Sequence, residues 1–420
     1  MPDQHDSAAT DAARRLLSAA AVRERSHALL ERGLAGRLAH FTIDLDRLGG
    51  AADEVVATIR QNYPTLEIPF HARWRHFSAG GLDRWGSIVP MAPWMDAAGM
   101  ARAAFDLAIV SVLLDAGAGP DWRYEEDRTG EMFSRSEGLA VASFEMFISG
   151  AFSSRPDDPF RVDADALIAL TPQELASGFQ AGPQNPLLGI AGRARLLNRL
   201  GRVVAEHPET FGRADSPRPG GLFDLFAAKA QGGIVSAPDI LEVILLHLGA
   251  IWPGRITLGG FELGDTWRYP LGAPAPGAAD ETDGLVPFHK LSQWLAYSLI
   301  EPLTWAGIAV ADIDGLTGLP EYRNGGLFLD AGVIALKNAA DADEAHEVGS
   351  GLVVEWRALT VALLDRIAPL VRTRLGMSAD ALPLAKVLEG GTWATGRRLA
   401  GERRPDGSPP LKVISDGTVF

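Results

Sequence analysis

The run Gly351-Leu-Val-Val-Glu-Trp-Arg-Ala-Leu-Thr-Val-Ala-Leu-Leu-Asp365 is apolar on every side of a helix. At spacings of three and four residues, Glu355 meets Gly351, Leu352, Ala358 and Leu359, and Arg357 meets Val353, Val354, Thr360 and Val361. A helix that is apolar all round is buried. The chain must therefore wrap a central helix that carries two charges, and each charge needs a partner to offset its lost hydration. Two readings stay open: structural ion pairs within the core, or side chains facing a polar cavity. The second is preferred because the helix itself supplies no partner.

Elsewhere the 3.6-residue period recurs. The spacing predicts helices over Ala12–Leu34, Ala51–Tyr63 (stopping at Pro64), Asp96–Ala116, Ser134–Gly150, Leu187–His207, Leu222–Gln231, Pro238–Ala250, Leu291–Trp305, Glu347–Leu375 and Leu382–Leu388. Thr171-Pro172-Gln173-Glu174 has the form of a capping box with proline at the first helical position. Strand signals are short: Gly254 to Trp267 and Gly326 to Val333. Gly272 to Gly284 and Gly401 to Pro410 read as loops, as does the aromatic and basic segment Pro69 to Trp85. The expected fold is mainly α: a multi-helical single globular unit with a small β element. Residues 1–11 are expected as a flexible tail and 12–420 as one large domain, with a division into lobes 12–170 and 171–420 left open and the site between them.

The 420 residues, 47% hydrophobic, supply ample core. A formal charge of −14 disfavours a nucleic-acid partner. The absence of cysteine excludes thiolate chemistry, and no apolar run approaches a membrane span, so the cytosol is the expected compartment. His71 and His76 are five apart, a poor ligand spacing, and no H-E-x-x-H is present, so neither metal nor cofactor is expected. Walker, Rossmann and nucleophile-elbow motifs are absent. The oligomeric state is not legible.

Three further stretches hold candidate site residues. In Gly318–Val333, the Asn324-Gly325-Gly326 turn signal is flanked by Glu321, Tyr322, Arg323 and Asp330; two carboxylates about an arginine suit acid–base work, and a hairpin tip with solvated charges is the competing reading. His289 and Lys290 stand at the start of a helix, a place that welcomes an anion. Trp74, Arg75, His76, Phe77 and Trp85 combine arginine with aromatics, as a phosphate beside a planar or sugar-like group requires.

Several segments carry a resemblance. Ala21-Val-Arg-Glu-Arg-Ser-His-Ala-Leu-Leu, Phe70-His-Ala-Arg-Trp-Arg-His-Phe, Ser134-Arg-Ser-Glu-Gly-Leu-Ala-Val-Ala-Ser-Phe, Asn185-Pro-Leu, Pro320-Glu-Tyr-Arg-Asn-Gly-Gly and Val354-Glu-Trp-Arg-Ala-Leu-Thr resemble the uracil-catabolism family of the fungal and bacterial URC pathway over nearly the whole chain. That pathway runs from uracil through a ribosylated urea to urea. More distantly, Ser136-Glu-Gly-Leu-Ala-Val-Ala, Leu170-Thr-Pro-Gln-Glu-Leu, Arg195-Leu-Leu-Asn-Arg-Leu-Gly, Lys290-Leu-Ser-Gln-Trp-Leu and Val354-Glu-Trp-Arg-Ala are similar in order to segments of queuosine salvage N-glycosylases, which have a helical DNA-glycosylase-like fold. Where those enzymes carry an Asp, this chain has Phe288, so either its catalytic carboxylate comes from elsewhere or its chemistry differs.

The resemblance implies an N-glycosidase that splits ribosylurea or its 5′-phosphate. Asp330 is the first expected carboxylate and Glu321 the second, with Glu355 orienting sugar hydroxyls or Arg357. Arg357, Arg323, Lys290 and the Arg75–His76 segment are expected at phosphate, and Trp74, Phe77 and Trp85 as pocket walls. Tyr322, Asn324 and His289 complete the expected binding set. An amidohydrolase or deaminase acting on a ureido compound, and a non-catalytic ligand-binding or scaffold protein, remain the alternatives.

Overall fold

The computed structural model describes residues 4–92, 94–115, 117–212, 216–252, 255–270 and 281–414. Its first helix, α1 (Gln4–Leu16), starts well inside the expected tail. The side chain of Ser18 caps α2 (Ala19–Leu34) by accepting the Ala21 N–H at 3.2 Å, which splits the helix expected from Ala12 to Leu34 into two. After α3 (Leu48–Asn62), the segment expected as a loop forms two single-turn helices, α4 (Arg73–Phe77) and α5 (Arg84–Ile88). The helices α6 (Ala97–Leu113), α7 (Arg135–Ile148), α8 (Ala164–Ala169), α9 (Pro172–Gly178), α10 (Ile190–Glu206), α11 (Pro208–Phe211), α12 (Leu222–Lys229), α13 (Ala237–Leu248) and α14 (Lys290–Trp305) follow. The capping box at Thr171 and Glu174 forms as its spelling predicts. The chain closes with α15 (Tyr322–Asp330), α16 (Gly351–Leu375), α17 (Leu384–Val387) and α18 (Trp393–Arg403).

Helix α16 is the axis of the core. Residues 352–364 are buried without a break. Helices α2 and α3 pack on α16, and α14 packs on α6 and α13, so segments on either side of residue 170 share one mainly helical core. Among the described residues every sheet has two strands. The Gly254–Trp267 region, whose first residue lies outside the described set, holds a small hairpin (Thr257–Leu258 with Phe261–Glu262), and Thr266–Arg268 pairs with Leu285–Pro287. Of the Gly272–Gly284 loop, residues 272–280 lie outside the described set. The Gly401–Pro410 loop begins after Arg403, where α18 ends.

The largest correction concerns Gly318–Val333. Its expected turn and strand are the helix α15, and the strand that follows it is Ile334–Leu336, paired with Phe41–Ile43. Two causes are visible. The Glu321 carboxylate caps the helix by accepting backbone N–H bonds from Arg323, at 2.6 Å, and from Asn324. The glycines serve close packing rather than a turn: a Cβ on Gly325 would stand 2.7 Å from the Trp356 indole and 2.8 Å from the Thr360 hydroxyl of α16. Gly396 of α18 plays the matching part, because a Cβ there would run into the Arg323 carbonyl. Replacing Gly396 with Ala is expected to prise α18 from α15 and cost about 1–3 kcal/mol, read as a lowered midpoint in urea unfolding.

Candidate functional site

The N-terminus of α14 is built around one carboxylate. Asp265 accepts both arms of the Arg357 guanidinium at 2.8 and 2.7 Å, the Trp267 indole N–H at 2.7 Å and the Lys290 backbone N–H at 3.0 Å. The Asp265 carbonyl also accepts the Phe288 N–H at 2.9 Å. Burial alone would raise the Asp265 pKa, but Arg357 and these donors hold it below the ordinary carboxylate value. Phe288 lies under the Arg357 guanidinium in a cation–π contact, with Cζ 4.2 Å from the ring centroid. His289 turns the chain into α14 through a left-handed φ of 49°. Its Nε2 faces the Leu16 carbonyl at 2.9 Å and must carry the proton, since a carbonyl only accepts. Burial lowers the His289 pKa.

This clamp presents Lys290 to a recess where several helix ends meet. Glu321 caps α15 there, and Asp115 follows the end of α6. Arg73 and His76 come from α4, Ser136 from the first turn of α7, and Trp294 from the first turns of α14. The electrostatic partners of Lys290 include Arg357, Glu321, Asp265 and Asp115. Lys290, Glu321, Tyr322, Asp115, His76 and Ser136 are each half-buried and keep some accessible surface.

The floor is a fixed network. Arg73 Nη1 contacts Asp115 Oδ1 at 2.9 Å, His76 Nδ1 at 3.2 Å and the Ser136 carbonyl at 3.1 Å, while Arg73 Nε donates to Ser111 Oγ at 2.8 Å. Ser136 Oγ donates to Asp115 Oδ2 at 3.2 Å. The Arg73 guanidinium sits 5.5 Å from the Trp294 ring centroid, and His76 meets the same ring edge-on at 5.6 Å. Two buried donors, Arg73 Nη2 and Trp294 Nε1, have no hydrogen-bond partner among the described residues. Unsatisfied donors at such a place are costly unless something that enters accepts from them.

Burial shifts the titration of this cluster. Desolvation raises the pKa of Glu321, against the pull of the Arg323 and Asn324 N–H groups, Lys290 and His71. It raises that of Asp115 against Arg73, and it lowers that of Lys290. His76 is pushed well below the usual imidazole value, first by desolvation and then by Arg73 and other cations, so it is neutral at pH 7. The recess holds carboxylates biased toward the acid form beside an ammonium biased toward the amine, a pairing suited to proton transfer.

Among the candidates named from sequence, Lys290, Glu321, Tyr322 and His76 come together here. Asn324 contributes its backbone N–H, and its side-chain Nδ2 donates to the Leu319 carbonyl. Asp330 lies at the other end of α15, roughly 13 Å along the axis from Glu321. Its carboxylate is gripped by Arg404 at 2.9 and 2.6 Å. Glu355 is enclosed by the Ala39 and His40 N–H groups at 2.8 and 2.9 Å and the Tyr269 hydroxyl at 2.5 Å, and Arg357 by Asp265, so both serve the scaffold. Arg323 donates to the Gly407 carbonyl at 3.1 Å, and Arg75 pairs with Glu301 at 2.6 Å. Trp74, Phe77 and Trp85 are buried against one another and Trp305 rather than lining the recess.

Sequence reasoning did not single out Asp115, Trp294 or Glu389 as site residues, and it weighed His71 only as a metal ligand, within the same basic and aromatic stretch that holds Arg73. A carboxylate directly after a long apolar helix, as in Leu113-Leu114-Asp115, was the available signal.

The fold is that of a multi-helical protein in which charged and aromatic side chains cluster where several helix ends converge. The family model described as "Protein of unknown function (DUF1688)" matches residues 15–420, and the chain belongs to that family. It is 38% identical over 411 residues to "Uracil catabolism protein 4" of Lachancea kluyveri, covering 91% of this chain and 92% of the relative. It is also 38% identical over 421 residues to "Protein urg3" of Schizosaccharomyces pombe, covering 98% and 100%. No helix among the described residues is long and apolar enough to cross a membrane.

Asp265→Ala leaves Arg357 buried without its carboxylate and is expected to cost about 3–5 kcal/mol in denaturant unfolding. Because the pKa of His76 is depressed in the folded state, the unfolded chain binds more protons as pH falls below the unperturbed imidazole value, and stability drops with it. His76→Asn is expected to shrink the difference in melting temperature between pH 7.5 and pH 5.5.

Proposed function

We propose that this protein acts in uracil catabolism as an N-glycosidase that hydrolyses ribosylurea, as its 5′-phosphate, to urea and ribose phosphate. The observation that carries the reading is the recess itself: Glu321 and Lys290 face each other electrostatically beside unsatisfied buried donors on Arg73 and Trp294. The names of the relatives supply the pathway, and the resemblance to N-glycosylases supplies the bond.

The chemistry makes definite demands. As urea departs, C1′ of the sugar gains positive charge, which a fixed carboxylate stabilises while it takes a proton from the attacking water. Glu321 suits that role, because two backbone N–H bonds hold its carboxylate in place at the helix start. Asp115 is already bound to Arg73 and Ser136 and is better placed to hold the floor. Trp294 and Arg73 offer donors to sugar hydroxyls. Arg135 is exposed and within electrostatic range of Tyr322, a cation suited to a phosphate, and Arg397, within range of His76, is shared with Glu137 at 3.3 Å.

Purified protein incubated with synthetic ribosylurea 5′-phosphate is expected to release urea and ribose phosphate in equal amounts. Glu321→Gln is expected to lower kcat by roughly 10²–10⁴-fold, and Asp330→Asn to leave it within a small factor of wild type provided the fold is intact. Activity that survives in Glu321→Gln and vanishes in Asp330→Asn overturns the assignment, and ammonia released without free pentose overturns the reaction class.

A further inference from the structure

A second acid–base pair borders the recess, and the proposed hydrolysis as written above does not use it. His71, just before α4, is buried, and its Nδ1 lies 2.7 Å from Glu389 Oε2. Its ring is flanked by Trp294 and Trp393, with centroids 6.3 and 6.4 Å away. Its backbone N–H donates to the Ala385 carbonyl of α17 at 3.0 Å. Both the ring and the main chain of His71 are therefore held from the α17–α18 region.

Glu389 sits on an unusual element. Residues Leu388–Thr392, between α17 and α18, form a π-helical turn. Such turns cost stability relative to α-helix and persist where they aim a side chain. Here the wide turn puts the Glu389 carboxylate against the imidazole. Because the carboxylate accepts from Nδ1–H, the free position of the ring is Nε2, which has no hydrogen-bond partner among the described residues. His71 lies within electrostatic range of both Glu321 and His76, which places it on the recess side of the pair.

We infer that His71, oriented by Glu389, is the general acid that protonates the departing urea, and that the two form a dyad opposite Glu321. This rests on the hydrolase reading and names the group that reading leaves open. The imidazolium gives its Nε2 proton to the urea nitrogen as the C1′–N bond breaks with its electron pair going to that nitrogen. Water bonds to C1′ through oxygen and gives a proton to Glu321. The cycle closes when that proton returns from Glu321 to His71. Glu389 is a positioning residue that keeps Nδ1 protonated and the ring turned.

The test varies the leaving group. p-Nitrophenolate departs without a proton and urea does not, so wild type, His71→Gln, Glu389→Gln and Glu321→Gln are compared on ribosylurea 5′-phosphate and on p-nitrophenyl ribofuranoside 5′-phosphate. His71→Gln is expected to lose roughly 10²-fold or more in kcat on the urea substrate and to stay near wild type on the nitrophenyl one. Glu389→Gln repeats that split at smaller size, and Glu321→Gln loses both activities. Equal loss on both substrates in His71→Gln, or no loss on either, overturns the dyad. If His71→Gln does not fold, the split in Glu389→Gln decides. A wild type that cleaves neither substrate removes the hydrolase reading and the dyad with it, a result that is plain before any variant is made.

Discussion

Asp265 gathers four donors from three parts of the chain: two from Arg357 in the central helix, one from the Trp267 indole and one from the start of α14. A buried carboxylate is tolerable only when its lone pairs are filled, and here each bond that fills them also fixes an element. The direction of α14, the left-handed turn at His289 and the position of Lys290 all follow from this one anion. The charge on α16 is thus neutralised in a way that builds the neighbouring site, although Arg357 itself is directed at Asp265.

The same economy of placement recurs around the recess. Glu321 caps α15 and faces Lys290; Asp115 ends α6 and holds Arg73; Glu389 stands on a π turn and orients His71. Helix ends have unpaired backbone groups and exposed termini, so they are natural places for polar side chains in an otherwise apolar fold. Bringing the starts of α4, α7, α14 and α15 together beside the end of α6 concentrates such groups in one hollow. The paired carboxylates and bases suit acid–base chemistry, and the two indoles give planar walls.

Much of the helical framework was legible because its signals are local. Thr171 and Glu174 spell a capping box, Pro64 stops α3, and the apolar surround of Glu355 demands burial. The Asn324-Gly325-Gly326 signal misled because glycine has two uses that sequence alone does not separate: freedom at positive φ and the absence of a Cβ. Here the second applies, as Trp356, Thr360 and Gly396 press on α15. Asp330 looked like a free carboxylate until Arg404, 74 residues away, closed it. Ion pairs between distant segments have no local signature.

The sequence by itself determined that this chain folds around a buried helix, that the helix carries charges in need of partners, and that helices rather than strands fill the core, because periodicity and capping act within a few residues. Only the tertiary structure decided which charges neutralise one another and which are left facing a hollow, because that depends on contacts between residues up to hundreds of positions apart, as between His71 and Glu389.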